Sequence, residues 1–259
     1  MRIKNEKLQK TGRVLVRTFQ AAVFAAAVFG TVFVFRHPPS FLRVKEIVVM
    51  SPLKHLTEFD LIRLSEVKKG DNILTLRLQD VRERVLRYPW VKDVRLSKRF
   101  PARLFMWVEE KEPAALLDLA GEDGVTELFL VSGEGKVFKK LDAADPKDFP
   151  ILTGLAAEEI PERLPRLMAL VKSLETSELF NELGVSEARW DAREGLTLFT
   201  KEPCIQLTLG PEGGKLVWEE RLQRFAQAWS TIQGGGRAPK VVDLSLDRRV
   251  VVRNEVKQD

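Results

Sequence analysis

Residues 88–114 read YPWVKDVRLSKRFPARLFMWVEEKEPA, and the organisation of the chain follows from this stretch. Pro89-Trp90 stops whatever helix precedes it, because proline has no N–H to give to the helix ladder. Val91 to Lys98 then alternates Val91, Asp93, Arg95 and Ser97 against Lys92, Val94, Leu96 and Lys98, which predicts a strand with Val94 and Leu96 turned inward. Phe100-Pro101 predicts a turn, and Ala102 to Glu110 the next strand. Upstream, the β-branched run Val44 to Met50 reads as a first strand. Thr57, with Asp60 three residues on, suits a helix N-cap, and Lys68-Lys69-Gly70 suits that helix's end. Asp71 to Leu74 reads as a turn, and Leu78, Val81, Val85 and Tyr88 give a second helix one apolar face. The order is β-α-α-β-β over roughly 70 residues.

Before this unit, residues 21–35 carry no charge and read AAVFAAAVFGTVFVF. Alone they are short of a hydrocarbon core of about 30 Å, but extended back to Val14 they reach 22 residues, or about 33 Å of helix. Arg17 near one end can reach the headgroups. Six basic residues precede the apolar run, so the positive-inside rule predicts a transmembrane helix over 14–36 with a cytoplasmic tail, 1–13, and the main body outside. A cleaved signal peptide is the alternative. Against it stand the apolar residues Val28 to Phe35, where a polar cleavage region would be expected.

The charge agrees with this division. The 259 residues carry a net charge of +5. Residues 1–36 hold seven Lys and Arg against Glu6, which leaves 35 basic and 36 acidic side chains in the rest. The body is neutral, so nucleic acid is not expected as a partner, and the basic tail is explained by topology and anionic membrane lipid. A single cysteine, Cys204, allows no internal disulfide.

From about 114 to 253 the chain reads as a β-rich domain with two flanking helices, followed by a short tail, 254–259. Short strands are expected at Leu116–Leu119, Leu128–Val131, Lys136–Phe138, Val185–Trp190, Gly195–Thr200 and Cys204–Leu209. Glu158–Leu179 and Gly214–Ile232 read as helices, the second with a wide apolar face. Lys240–Leu244 and Arg249–Arg253 close the domain as a hairpin through Asp247-Arg248.

No catalytic constellation is legible, so no enzyme and no cofactor or metal is expected. His37 and His55 read as loop residues rather than general bases, and Cys204 as a buried, inert strand residue. Glu109, Glu110 and Glu112 form one acidic cluster, but strand neighbours point to opposite faces, and a charged strand end explains them. The glycines lack the GxxxxGK[ST] pattern of a phosphate loop.

The run from Phe41 to Pro113 resembles the POTRA domain of the FtsQ/DivIB cell-division proteins. Val44, Ile47 and Val49 carry the likeness, with Gly70-Asp71-Asn72-Ile73-Leu74, Tyr88-Pro89-Trp90-Val91, Arg99-Phe100-Pro101-Ala102-Arg103-Leu104 and Val108 to Ala114. Pro150-Ile151-Leu152-Thr153-Gly154, the Leu209-Gly210 strand end and Val241-Val242-Asp243-Leu244 continue it. The family usually follows "VDL" with an arginine and an aromatic, where this chain has Ser245, Leu246, Asp247, Arg248 and Arg249. The resemblance implies an α+β, non-enzymatic membrane scaffold: a 41–113 POTRA domain and a 114–253 FtsQ-type β domain, in the bacterial inner membrane at the septum. Its implied partners are FtsB-like and FtsL-like proteins and other divisome components. The last strand is β-branched and uncovered, which makes Ser245, Leu246, Arg248, Arg249, Val250, Val251, Val252 and Arg253 the expected partner-binding residues, by strand addition. Two other classes remain at this point: a secreted POTRA accessory of outer-membrane protein assembly, and a membrane-anchored envelope hydrolase.

Overall fold

The computed structural model describes residues 19–33, 36, 39–120, 125–211, 217–234, 238–246 and 249–254. They form two compact units, 1–110 and 111–259, each described by itself. The first begins with a helix over 19–33 whose side chains are all exposed, Phe19, Phe24 and Phe29 among them. Residues 14–18, 34 and 35 of the expected transmembrane segment lie outside the described residues. Among those described, no helix is long and apolar enough to cross a membrane.

The β-α-α-β-β order is observed: β1 (Glu46–Val49), α1 (Glu58–Ser65), α2 (Leu78–Leu86), β2 (Val91–Arg99) and β3 (Arg103–Glu110). The strands form one sheet in the order β1-β3-β2, with β1 parallel and β2 antiparallel to the central β3. Thr57 caps α1 as its sequence suggests, its hydroxyl accepting from the Asp60 N–H while the Asp60 carboxylate accepts from the Thr57 N–H. The helix stops earlier than the lysines imply, at Ser65, because Glu66 turns left-handed with φ 56°. Val94 is buried and Leu96 packs inward with Val44, Ile73, Val81 and Leu104. A bulge between Val91 and Asp93 lets Val91 bury as well, out of phase with simple alternation.

The second unit is one nine-stranded sheet, ordered β12-β11-β10-β9-β8-β7-β4-β5-β6. Its strands are β4 (Pro113–Ala120), β5 (Thr126–Ser132), β6 (Val137–Lys140), β7 (Ile151–Thr153), β8 (Val185–Asp191), β9 (Gly195–Thr200), β10 (Gln206–Gly210), β11 (Val241–Asp243) and β12 (Val251–Arg253). Three helices pack on it rather than two: the segment expected as one helix breaks at Thr176-Ser177 into α3 (Ile160–Glu175) and α4 (Glu178–Leu183), and α5 spans Val217–Gln233. Phe180 and Leu183 of α4 join the same core as Leu167 and Leu170 of α3 and Phe225 of α5, so the break lets the chain turn while keeping apolar residues inward. The sheet is mixed. β7 and β8 run parallel, connected through α3 and α4, and β10 and β11 run parallel, connected through α5, as parallel neighbours require.

Candidate partner-binding edge

Residues directly opposite one another in a sheet share a face. One rung crosses all nine strands of the large sheet: Val252, Val242, Leu207, Leu198, Ala188, Leu152, Leu117, Phe129 and Lys140. Its interior members are core residues, and Phe129 packs against that core. The two ends differ. At the β6 edge the rung stops in Lys140, ion-paired to Glu127, with Lys139 beside it bound to Asp142 and Asp145 and a bulge in the ladder. Lysines and bulges are what blunt an edge strand. At the β12 edge the rung stops in Val252, in phase with the core yet 43% exposed.

β12 is antiparallel to β11, with Val241 opposite Arg253, Val242 opposite Val252 and Asp243 opposite Val251, so the expected hairpin is formed. Among the described residues β12 pairs on this one side. Val250 packs against the large core and Val251 is half-buried. Arg249 and Arg253 are exposed, and neither forms an ion pair with a described residue. Arg248 lies outside the described residues.

The approach to β12 is held by Ser245 and Leu246, both named in the sequence, together with Arg224, Arg221 and Trp218, which the sequence did not single out. The Ser245 hydroxyl and N–H both donate to Asp243 Oδ1, at 2.6 and 3.0 Å, which closes a tight turn after β11. The Leu244 N–H donates to the Thr208 carbonyl at 2.8 Å, carrying the parallel ladder one residue further. Arg224 of α5 donates to the carbonyl of Leu246, at 3.2 Å, while the Leu246 side chain stays 47% exposed. Gly210, at φ +76°, lets the strand end pass this turn: a Cβ there would lie 2.7 Å from Ser245 Cβ. Beneath it, buried Arg221 donates to the carbonyls of Leu209 and Pro211, and Trp218 Nε1 donates to Gly210 O at 3.2 Å. A basic residue facing a strand's C-terminal carbonyls is the only signal the sequence offers for this anchoring, and it is generic.

The other candidates disperse. Cys204 is exposed and precedes β10, a correction to the buried strand position expected of it; the strand begins two residues later, after Glu202-Pro203. His55 is stacked on Trp90 with ring centroids 3.9 Å apart, and His37 lies outside the described residues. Glu109 pairs with Lys92. Glu110 is more than a charged strand end: its carboxylate accepts the backbone N–H groups of Lys54, His55 and Leu56, each at 3.0 Å. Among the described residues no three His, Cys, Asp or Glu side chains gather as metal ligands.

A β-α-α-β-β unit followed by a mixed sheet, whose last described strand pairs on one side, is the arrangement of a POTRA unit joined to a β-rich domain. Residues 42–111 match the family model of the FtsQ-type POTRA domain, and 122–245 match that of the C-terminal region of cell division protein FtsQ/DivIB. The cell division protein FtsQ of Anaeromyxobacter sp. (strain K) is 32% identical over 215 residues, 80% of this chain and 69% of that one. The FtsQ proteins of Geobacter sp. (strain M21) and Geotalea daltonii are each 28% identical, over 80% and 83% of this chain and 75% and 76% of theirs. The chain belongs to the FtsQ/DivIB family of cell-division proteins. These relatives favour that reading over an accessory of outer-membrane assembly. The matched C-terminal region ends at 245, so β12 falls beyond it.

Proposed function

We propose that this protein is a non-enzymatic, single-pass scaffold of the bacterial divisome that captures FtsB-like and FtsL-like partners by adding a partner strand to β12. The observation that carries the reading is the rung that ends in exposed Val252. A partner strand beside β12 would take up its outward N–H and C=O groups and place an apolar residue against Val252, extending the core by one strand. Arg249 and Arg253, exposed at this edge, would meet acidic residues of the partner and steer its approach.

The same reading divides the chain into a cytoplasmic tail (1–13), a transmembrane helix (14–36), a POTRA domain (41–113), an FtsQ-type β domain (114–253) and a tail (254–259), with the main body periplasmic at the septum. The exposed phenylalanines of 19–33 support an anchor, since such a surface is stable in lipid and costly in water. The POTRA unit would serve recruitment by upstream division proteins.

The test is calorimetry of the full chain, in detergent, with peptides from the FtsB-like protein of the same organism. Replacing Arg248 and Arg249 together by Glu is expected to weaken binding about tenfold or more, chiefly through slower association, with the melting temperature unchanged. A variant that loses its fold instead assigns these arginines a structural role.

A further inference from the structure

Three backbone segments converge at the end of the POTRA unit where the chain enters it. The Val44 N–H donates to Asp71 O and the Gly70 N–H to Val44 O, both at 2.8 Å, while the Lys45 N–H donates to Ala102 O at 2.8 Å. The entry strand is therefore held between the 68–71 turn and the β2–β3 turn. This end carries Lys45, Lys68, Lys69 and Arg99, all exposed, none in an ion pair with a described residue. Two large apolar side chains project beside them, Phe41 at 56% exposure and Phe100, at the tip of the β2–β3 turn, at 62%. The acids nearby are engaged: Glu46 pairs with Arg103 at 2.9 Å, and Asp71 Oδ2 accepts the Lys68 N–H at 2.8 Å.

We propose that this basic, aromatic end of the POTRA unit rests on an anionic lipid surface. The phenylalanines would enter the headgroup layer, and the four cations would lie against lipid phosphates. The inference rests on the anchor proposed above. Only three residues of chain separate Arg36 from Ser40, a span of at most about 14 Å when extended. A helix ending at Arg36 therefore holds these cations close to the membrane, and a Debye length of about 8 Å makes their attraction to anionic headgroups effective there. Free cations with exposed aromatics match the amphipathic depth of a headgroup layer, whereas a protein partner would be expected to bring acids to a less polar patch.

The full chain, with Cys204→Ser, is labelled with an apolar environment-sensitive fluorophore at Phe100→Cys or, as the opposite-end control, at Met50→Cys. Met50 is exposed, and its N–H bonds to Met106 O, toward the far end of β3. Each protein is reconstituted in phosphatidylcholine vesicles carrying headgroup-level nitroxide lipid, with or without about one-third phosphatidylglycerol. Quenching at position 100 is expected to exceed that at position 50 by roughly twofold or more with the anionic lipid. It should fall to the control level in neutral vesicles, in high salt, and in the Lys68→Glu, Lys69→Glu, Arg99→Glu triple variant. Equal quenching at the two positions, indifference to lipid charge, or cross-linking of position 100 to a second copy overturns the inference. Carbonate extraction reads the anchor separately: resistant protein with equal quenching overturns the lipid-facing end alone, and stripped protein overturns the anchor and this inference with it.

Discussion

Single side chains set the stability of the POTRA unit, and three carboxylates show how. Glu110 accepts three consecutive backbone N–H groups, so Glu110→Ala leaves them without their acceptor and is expected to cost about 2 kcal/mol in urea unfolding. Glu109→Ala, next to it, breaks only an exposed pair with Lys92 and should cost well under about 1 kcal/mol. Asp60 is held below its ordinary carboxylate value of 3.8 by the Thr57 hydroxyl and then by the Thr57 N–H. A lowered carboxyl value stabilises the fold above about pH 4, and that contribution is lost as pH falls through the folded-state value. Asp60→Asn removes this proton linkage, so variant and parent are expected to differ at neutral pH and to converge in acid, measured by thermal melts across pH. Thr57 and Asp60 were legible because a capping box is local, spanning four residues. Glu110 was not, because its partners lie 54 to 56 residues upstream and only the folded sheet brings them together.

Elements were legible in proportion to the regularity of their pattern. The alternation of Val94 and Leu96 and the periodic Val81 and Val85 placed β2 and α2 closely. The long apolar periodicity after Glu158 hid the break between α3 and α4, since Phe180 and Leu183 continue an inward apolar face across it. Sequence alternation also gives no strand order, so the parallel β10–β11 pairing and the rung across nine strands emerge only from the fold. The rung makes a prediction of its own. Leu198 sits in its middle, fully buried, and Leu198→Ala is expected to lower the stability of the second unit by about 2–5 kcal/mol, whereas Val252→Ala at the exposed end should cost under about 1 kcal/mol. Chemical unfolding followed by tryptophan fluorescence separates these two outcomes. Similar losses at both positions would mean that the rung continues under cover past β11.

At the scale of the whole chain, family membership places the protein in cell division. After Asp243-Leu244, Ser245 and Leu246 begin the segment that leads into β12. Any partner contact there has to be made by this chain's own Leu246, Arg249 and valines. The β12 edge read as a candidate from its β-branched composition; its apolar phase with the core, and the contrast with the lysine-blunted β6 edge, needed the sheet. The most direct test is calorimetry of the full chain against the FtsB-like peptide with Val252→Pro, which removes the one backbone N–H of β12 that faces away from β11 and adds no charge. The account predicts that the parent forms a one-to-one complex and that the variant melts within a few degrees of the parent yet shows no measurable binding. Unchanged binding by a folded Val252→Pro variant would contradict strand addition at β12.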